Sequence, residues 1–337
     1  MNVIGKDVIH KSMGIGTIAK LDGNTMLVQF KTKDVKFIYP DAFKQFLAFI
    51  NPNDAEEMAI ELSTIDEQKK AALSARLSTP TDFGINKVQE RKRDAKPNIA
   101  FKCNFCDGGI EKNGIGFNGV CSDSIIYNNI KVEQKTWCCS DDCACLQFLN
   151  GEISREDLVN MVDSGEFICY ESQMLKKWKA MAGIIQHGDR KGQPMHLNNV
   201  QTNSLCILTS REPYSAEEDR FIFAVFLVDQ TYDGDDLDEG YVSTKSKFKI
   251  QLTSEQAHQL PFWKYHANGK QPEIPAWNSG LHRYITDEQA AQILRDIVKI
   301  KIGTEEEALT KEFFDTFCSI TKIDANSLSQ PNGALCH

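Results

Sequence analysis

The first fifty residues alternate short apolar runs with glycines and tight turns. Val8-Ile9 is followed by Ile15 to Ile18, and the turn Asp22-Gly23-Asn24 then leads into the alternating run Met26 to Phe30. Apolar residues at every second position, bounded by glycine and by Asp-Gly turns, are typical of β-hairpins. We therefore predict a small β-barrel domain over residues 1–50.

The order of residues in this region also resembles a known family. Gly5-x-x-Val8-x-His10 is followed by Gly14-x-Gly16-x-Ile18 and later by Lys36-Phe37. This pattern resembles the Tudor-like (SH3-like) domain at the C-terminus of UvrD and PcrA helicases, and the related CarD-type modules. The resemblance covers residues 3 to about 48. It implies a docking surface for protein or nucleic acid, without catalysis, and His10 is then a packing or turn residue.

The next segment has a helical pattern followed by a basic stretch. From Pro52 to Leu77, apolar residues recur among many Glu, Lys and Gln residues, which predicts a helix with one solvated face. Residues 51–98 are therefore interpreted as a helical connector and linker. Seven basic side chains lie within residues 76–102: Arg76, Lys87, Arg91, Lys92, Arg93, Lys96 and Lys102. Such a run either contacts phosphates or is a solvated linker.

The C-terminal half alternates strand and helix patterns. Arg220 to Asp229 is apolar almost throughout, as expected of a strand buried on both faces. Thr286 to Ile297 is the pattern of a well-capped amphipathic helix, with Ile293, Leu294 and Ile297 on its inner side. These patterns predict an α+β domain, with a mixed β-barrel and flanking helices, over residues 156–325. A flexible tail is expected over residues 326–337, so the fold class is multi-domain α+β.

Composition and charge limit the classes of function. The chain has 337 residues, which favours two or three domains, and 41% of them are hydrophobic. The formal net charge of −9 argues against coating of nucleic acid by the whole chain, but it permits a local basic face. The first residues lack the pattern of a secretory signal, and no apolar run of about 18 residues occurs. We therefore expect a cytoplasmic protein without a membrane partner.

The cysteines indicate a metal site. Seven of the eleven lie between Cys103 and Cys145, and clustered cysteines in a reducing cytosol are more often metal ligands than disulfides. Short-spaced pairs about 30 residues apart suit a tetrahedral zinc ion with a structural role. The predicted ligands are Cys103, Cys106, Cys143 and, for the fourth position, Cys138, with Cys139, Cys145 and Cys121 left open.

The arrangement of this cysteine domain, residues 99–155, resembles a treble-clef zinc finger. The knuckle Cys103-x-x-Cys106 is followed by a segment that ends in cysteines at the start of a short helix after Cys145. Some treble clefs are nucleases that use histidine. No histidine occurs between His10 and His187, which argues against an HNH-type nuclease in this domain.

Two loops of the C-terminal domain combine aromatic rings with amide and guanidinium donors. A base-recognition pocket needs faces for stacking and edges for hydrogen bonds. The alternative is that the rings cover a core. The candidate ligand-binding residues are Arg211, Trp263, Tyr265, Asn268, Trp277, Asn278, His282, Arg283 and Tyr284. At the level of fold, a barrel with such a pocket resembles the PUA, ASCH and EVE group of modified-base readers.

Two functions follow from these patterns. The first is a non-enzymatic protein that binds nucleic acid or a protein partner, has a structural zinc ion and reads a base, including a modified one. The alternative is an enzyme acting on nucleic acid or a nucleotide, for which Arg211, Glu212 and His282 would have to converge with a second carboxylate. The acidic run Asp229 to Glu239 is interpreted as a solvated hairpin tip. Along most of its length the chain also resembles bacterial proteins without an established activity, which implies nothing about its chemistry.

Overall fold

The structure is a computed structural model of the chain. It describes residues 2–10, 13–22, 25–31, 33–40, 42–45, 47–77, 97–109, 116–117, 119–140, 143–164, 169–185, 190, 192–235, 238–278 and 280–336. The chain divides into two compact units, unit 1 (Met1–Lys87) and unit 2 (Val88–His337). Most of the predicted basic run, residues 78–96, lies outside the described residues.

Unit 1 is built on one antiparallel sheet. Its strands are β1 (Asp7–His10), β2 (Gly14–Asp22), β3 (Thr25–Phe30), β4 (Asp34–Ile38) and β5 (Leu47–Phe49). In the part of the chain that is described, their order in the sheet is β4-β3-β2-β1-β5. Strands that follow each other along the chain therefore pair with each other, and β5 returns to pair with β1. The predicted antiparallel hairpins are confirmed.

The core of unit 1 follows the alternation read from the sequence. Met26, Val28 and Phe30 of β3 are buried, and the residues between them are more exposed. The ring of His10 packs against Phe30 and Phe37, with ring centroids 6.0 Å and 5.7 Å away. This environment agrees with a packing role for His10.

Two helices complete unit 1, α1 (Ala42–Gln45) and α2 (Pro52–Leu77). The predicted helix from Pro52 to Leu77 is confirmed. Its first half is not a free connector, because Met58 is buried in the core of the sheet. Lys6 binds Asp54 at 2.7 Å, which also ties the helix to the sheet. The helix thus belongs to the same unit as the β domain.

Unit 2 contains a five-stranded mixed sheet and a three-stranded antiparallel sheet among its described residues. The strands of the larger sheet are β6 (Asn98–Lys102), β8 (Leu205–Ser210), β9 (Phe221–Leu227), β12 (Lys249–Gln251) and β13 (His282–Ile285). Those of the smaller sheet are β7 (Lys179–Met181), β10 (Gln230–Tyr232) and β11 (Tyr241–Ser243). The order in the larger sheet is β12-β9-β8-β6-β13, with β6 and β8 parallel.

The helices of unit 2 pack around these sheets. They are α3 (Asp123–Tyr127), continued by a π-helical turn (Asn128–Val132), α4 (Ala144–Leu149), α5 (Arg155–Asp163), α6 (Tyr170–Lys177), α7 (Ser254–His258), α8 (Asp287–Ile300) and α9 (Glu307–Thr321). Helix α8 is well capped as predicted, and its cap is a capping box in which Thr286 and Gln289 bond reciprocally. The predicted inner residues Ile293, Leu294 and Ile297 are all fully buried.

The predicted boundary between a cysteine domain (99–155) and an α+β domain (156–325) does not match this architecture. Strand β6 leads directly into Cys103, yet it lies between β8 and β13 in the larger sheet. The cysteine-bearing segment and the C-terminal segment therefore share one sheet and one core. The boundary was misplaced because β6 pairs in parallel with β8. This pairing joins segments about 100 residues apart, and local sequence patterns do not predict it.

The predicted flexible tail is also ordered by contacts. The amide of Gly333 donates to the carbonyl of Lys264 at 2.9 Å, and the amide of Ala334 donates to the carbonyl of His266 at 3.0 Å. Ala334 is buried. Gly333 and Ala334 therefore pack against the loop that carries Trp263 and Tyr265.

The fold is mixed α+β with several sheets, as the sequence patterns predict. Among the described residues, no helix combines the length and the apolar character needed to cross a membrane.

Candidate functional site

Four cations gather at one edge of the larger sheet of unit 2. Strands β6 and β8 are parallel, so their carboxyl ends, at Lys102 and just before Arg211, meet at the same edge. Strand β9 begins there after Arg220, and β13 begins there with Arg283 at its second residue. We call Lys102, Arg211, Arg220 and Arg283 the cationic cluster.

One carboxylate, Glu217, organises the cluster. Arg220 donates two hydrogen bonds to Glu217, of 2.5 Å from Nε and 3.0 Å from Nη2. Arg211 Nε lies 4.0 Å from the same carboxylate and donates from Nη1 to the carbonyl of Ser215 at 2.6 Å. Because a bidentate pair fixes the plane of a guanidinium group, Arg220 has a defined orientation.

The indole ring of Trp277 supports two of these arginines. The guanidinium carbons of Arg220 and Arg283 lie 5.0 Å and 5.2 Å from its centroid, within cation–π distance. Trp277 itself is fixed by a hydrogen bond from Nε1 to the carbonyl of Gly280, at 3.1 Å. The ring therefore helps to position the guanidinium groups of Arg220 and Arg283.

The cations of the cluster influence each other. Burial lowers the pKa of Lys102, and the charges of Arg220 and Arg211 lower it further, while Glu217 opposes them. Burial also lowers the pKa of Arg283, and Glu217 opposes this shift. Glu133 also interacts with Arg211, but it is paired with Lys135. The cations near the cluster therefore outnumber these two carboxylates, and an anion is able to neutralise the excess positive charge.

The predicted aromatic pocket is not an open pocket. Trp263, Tyr265 and Trp277 are almost completely buried, with relative exposures of 0%, 1% and 2%. Trp263 and Trp277 both pack against Phe262. The ring centroid of Phe262 lies 5.1 Å from that of Trp277 and 5.2 Å from that of Trp263. The alternative reading of these rings, as the cover of a core, describes them better, because apolar area is buried on all three.

Asn268 and Tyr284, which were also predicted to bind a ligand, have structural partners. Asn268 donates from Nδ2 to the carbonyls of Ala276 and Ile274, at 2.9 Å and 3.2 Å. The hydroxyl of Tyr284 accepts from the amide of Asn198 at 3.1 Å. Asn278 is exposed, with a positive φ of 54°. Of the nine predicted residues, the structure brings Arg211, Arg283 and Trp277 together.

The constellation expected for an enzyme is not assembled. Glu212 contacts His258, with 3.2 Å between Oε1 and Nε2. The ring of His282 instead lies between those of Phe101 and Tyr284, at 6.1 Å and 5.3 Å. Burial, with a smaller effect of Arg283, lowers the pKa of His282 to about 4. His282 is therefore neutral at pH 7.

The predicted zinc ligand Cys103 packs at the end of β6. Its Sγ lies 3.7 Å from Sδ of Met174, and its amide continues the ladder with β8 by donating to the carbonyl of Thr209 at 2.9 Å. Burial, followed by the charge of Glu171, raises the pKa of this thiol. Cys103 thus has the environment of a core residue.

The other cysteines form two close pairs. The turn after Cys106 is tied to the segment of Cys121 because Asp107 accepts hydrogen bonds from the amides of Ser122, at 2.8 Å, and Gly109, at 3.2 Å. The thiols of Cys106 and Cys121 are hydrogen-bonded to each other.

The second pair stands at the start of α4. Cys143 and Cys145 are hydrogen-bonded through their thiols, and this bond lowers the pKa of Cys143. Burial raises the pKa of Cys138, and the charge of Glu171 and the neighbouring thiols Cys143 and Cys139 raise it further. Across the described ranges, no group of three or more Cys, His, Asp or Glu side chains is close enough to hold a metal ion.

Cys169 is a neighbour of both pairs that the sequence patterns did not single out. It is the N-cap of α6, and its Sγ accepts from the amide of Ser172 at 3.3 Å. The thiol of Cys121 interacts with those of Cys169 and Cys145, in addition to Cys106. Thiols from four separate segments, at positions 106, 121, 145 and 169, therefore share one region.

Sequence reasoning missed Arg220 and Glu217 as parts of the site. Arg220 directly precedes the most apolar strand of the chain, and its side chain is only 3% exposed. A buried arginine is rare unless it is paired. The available signal was the Glu217-x-x-Arg220 spacing at the start of that strand. Lys102 was noted only as part of the basic run.

No family model matches this chain. Neither a curated protein nor a solved structure matches it.

Proposed function

We propose that this chain is a non-enzymatic nucleic-acid-binding protein whose cationic cluster contacts backbone phosphates. The observation that carries the proposal is the convergence of Lys102, Arg211, Arg220 and Arg283 near the carboxylate of Glu217. Arginine and lysine at phosphates supply most of the affinity of nucleic-acid-binding proteins.

Two further features support a phosphate site at this edge. The guanidinium group of the partly exposed Arg283 rests on Trp277, so less side-chain entropy is lost when it binds. Arg220 is buried and adds its charge from beneath the surface. The chain as a whole carries a net charge of −9, so a polyanion is repelled by most of the surface. Contact is then confined to local basic sites, which suits recognition of one segment better than general coating.

The alternative function, an enzyme acting on nucleic acid or a nucleotide, has weaker support. Its predicted residues Glu212 and His282 have different partners, His258 for the first and aromatic rings for the second. A protein partner with an acidic surface is the second candidate for the cationic cluster, because carboxylates match arginine as phosphates do.

The finer assignments of fold are part of the same proposal. The order β4-β3-β2-β1-β5 in unit 1 is compatible with an SH3-like barrel that docks protein or nucleic acid. A treble-clef-like segment and a PUA-like arrangement of unit 2 remain predictions from the sequence.

We also infer that the cysteine region binds one zinc ion with a structural role. Thiols are donors that zinc prefers, and several lie in one largely buried region, so the described thiols would have to move closer together to hold the ion. Cys121 interacts with Cys106, Cys145 and Cys169, and these four form the ligand set we propose. The set predicted from spacing stays the alternative, since Cys138 also interacts with Cys145. A zinc ion bound by four thiolates would contribute folding energy and no catalysis.

The proposed function is tested by binding across a salt series. Fluorescence anisotropy with short single-stranded and duplex DNA is measured between about 50 and 200 mM salt. Arg211→Ala and Arg283→Ala are each expected to weaken binding and to reduce the slope of log K against log salt by about 1.

Lys311→Ala is the matched control. Lys311 is an exposed cation on α9 that binds Asp315 at 2.7 Å, so its loss changes the net charge equally without touching the cluster. Wild-type binding that is absent, or that does not depend on salt, would contradict the proposed function. Binding weakened equally by all three substitutions would show that the cluster is not the contact.

A further inference from the structure

Unit 2 also contains a cavity of about 280 Å³ on the smaller sheet. The register places Met181, Tyr241 and Tyr232 in one row across β7, β11 and β10. Ile184 and Pro194, which form an isolated β-bridge, line the same cavity. The floor is therefore formed by two aromatic rings and a thioether.

The two tyrosines offer partly exposed ring surface. Their centroids are 5.7 Å apart, with an angle of 45° between the ring planes. Both are partly exposed, unlike the buried Trp263, Tyr265 and Trp277. A planar ligand is thus able to pack on the tyrosines without unfolding a core.

One wall of the cavity carries a hydrogen-bond acceptor that is not used within the described part of the chain. The carboxyl group of Glu239 accepts from the amide of Gly183, and its Oε2 is buried without a hydrogen-bond partner among the described residues. A buried acceptor without a donor is costly, so it is uncommon in a folded protein. A ligand that donates an N–H group would satisfy it.

The charges of the cavity limit the charge of the ligand. The ammonium group of Lys179 lies 3.7 Å from the centroid of the Tyr241 ring, and it would repel a cationic ligand from that ring. Asp238 and Glu239 line the same cavity and would repel an anionic one. The cavity therefore favours a neutral ligand.

The polar groups specify the hydrogen-bonding pattern of that ligand. Glu239 requires a donor, and Lys179, which has only donors, requires an acceptor. A neutral planar ring with donors and acceptors along one edge is the description of a nucleobase. Bases taken out of a stack are recognised through this edge and through aromatic faces.

The size and position of the cavity agree with this ligand. Ligand pockets commonly measure about 300–1,000 Å³, so 280 Å³ suits one base and not a whole nucleotide. Gly183, which binds Glu239, packs so closely on Leu281 that a Cβ at this glycine would lie 2.4 Å from Cδ1 of Leu281. The carbonyl of Leu281 accepts from the amide of Lys102 at 2.8 Å, which connects the cavity to the cationic cluster.

We propose that this cavity receives a single unstacked nucleobase, with its face on Tyr232, its margin beside Tyr241 and its N–H edge at Glu239. The inference rests on the proposed nucleic-acid function, whose cationic cluster would hold the adjoining phosphates. The base arrives either as part of a strand or as a free nucleoside, and the two sources have the same recognition chemistry.

The experiment compares Glu239→Gln and Tyr232→Leu with wild type by fluorescence anisotropy, using a single-stranded oligonucleotide and its abasic counterpart. Each substitution is expected to weaken binding of the base-bearing strand about tenfold, which is typical for the loss of one stacked base. These substitutions should not change the binding of the abasic strand, and they should not change the slope of log K against log salt. Tyr127→Leu, at an exposed tyrosine on α3, is the control, and thermal unfolding confirms that each variant folds.

A second arm measures binding of free nucleosides by saturation-transfer NMR. If the two cavity variants bind the strand as wild type does while Arg211→Ala weakens it, the base site is overturned and the proposed function stands. If wild type binds nucleosides but no strand, and Glu239→Gln abolishes nucleoside binding, the base site stands and the proposed function fails. Absence of binding in both arms overturns both.

Discussion

Arg220 and Glu217 form a bidentate ion pair in which the arginine side chain is almost completely buried. Glu217→Gln leaves this guanidinium group without a charged partner, so the free energy of unfolding should fall by about 3 kcal/mol. The same change adds positive charge to the cationic cluster and should tighten binding of single-stranded DNA at low salt. Urea denaturation and fluorescence anisotropy measure the two effects.

Glu312→Gln provides the comparison for this prediction. Glu312 binds Lys247 at 2.6 Å, but both side chains are more than half exposed. Exposed pairs contribute about 0–1 kcal/mol, and this one lies on α9. Equal losses of stability in the two variants would contradict the central role given to Glu217.

Acid should destabilise the protein through Asp296. Burial works to raise the pKa of this carboxyl group, but hydrogen bonds from Lys264, Lys299 and Tyr265 outweigh it and lower the pKa to about 2. Because the folded-state pKa lies below the ordinary value, this stabilisation is complete above about pH 4 and is lost as the pH falls towards 2. Asp296→Asn should be less stable than wild type at pH 7, with the difference closing by pH 2 in urea melts.

Tyr265→Phe tests how much one hydrogen bond to Asp296 contributes, because it keeps the buried ring. It removes the 2.8 Å hydrogen bond from the tyrosine hydroxyl to Asp296, so a loss of about 1 kcal/mol is expected at pH 7. Nucleic-acid binding should not change, because the ring is buried. A large loss of binding with normal stability would restore Tyr265 as a ligand-binding residue.

The C-terminal segment is expected to contribute to stability through Gly333. A Cβ at this position would lie 2.3 Å from the carbonyl oxygen of Trp263, so Gly333→Ala forces the backbone apart and should cost about 1–3 kcal/mol. Gly269→Ala is the control, since a Cβ there meets nothing within 4 Å. Equal melting temperatures for the two variants would mean that the tail is not packed as described.

The zinc inference predicts which cysteines hold metal. Purified protein should contain about one zinc ion per chain by mass spectrometry of metals. Cys121→Ser and Cys169→Ser should reduce this content, whereas Cys206→Ser, at a buried thiol in β8, should not. Retention of zinc in Cys138→Ser would support the set chosen from contacts, and its loss would support the set read from sequence spacing.

Raising the pH from acidic to neutral should destabilise the protein through Glu239. Burial raises the pKa of this carboxyl group to about 7, with a smaller opposing effect of the bond from Gly183. Because the folded-state pKa lies above the ordinary value, stability falls as the pH rises from about 5 to 8. Lys179 and Asp238 face the same cavity. Thermal unfolding of Glu239→Gln should lack this component of the pH dependence.

Local patterns predicted the elements of this fold well, because each depends on neighbours in the chain. The apolar run before Asp229 became a fully buried strand, and Thr286 with Gln289 fixed the start of α8. The helix from Pro52 to Leu77 was predicted with its observed bounds.

The site was harder to predict because it depends on pairing between distant segments. Lys102 and Arg211 are neighbours only because β6 and β8 run parallel, and Cys169 meets Cys121 only after α6 has packed. Trp263 and Tyr265 were predicted to line a pocket but are buried, for a physical reason. Large rings next to polar residues occur both in binding pockets and at the margin of a core, and sequence gives no measure of burial.

The position of β6 in the larger sheet also constrains how the chain acquires its structure during synthesis. Asn98 at the start of β6 bonds to the carbonyl of Ile285, 187 residues later. While the ribosome is still making the intervening segment, one side of β6 has no neighbour, whereas the strands of unit 1 pair with near neighbours and are able to close early. Unit 2 therefore has to be completed after nearly all of its chain has emerged, and this is the stage at which its apolar strands depend most on protection from aggregation.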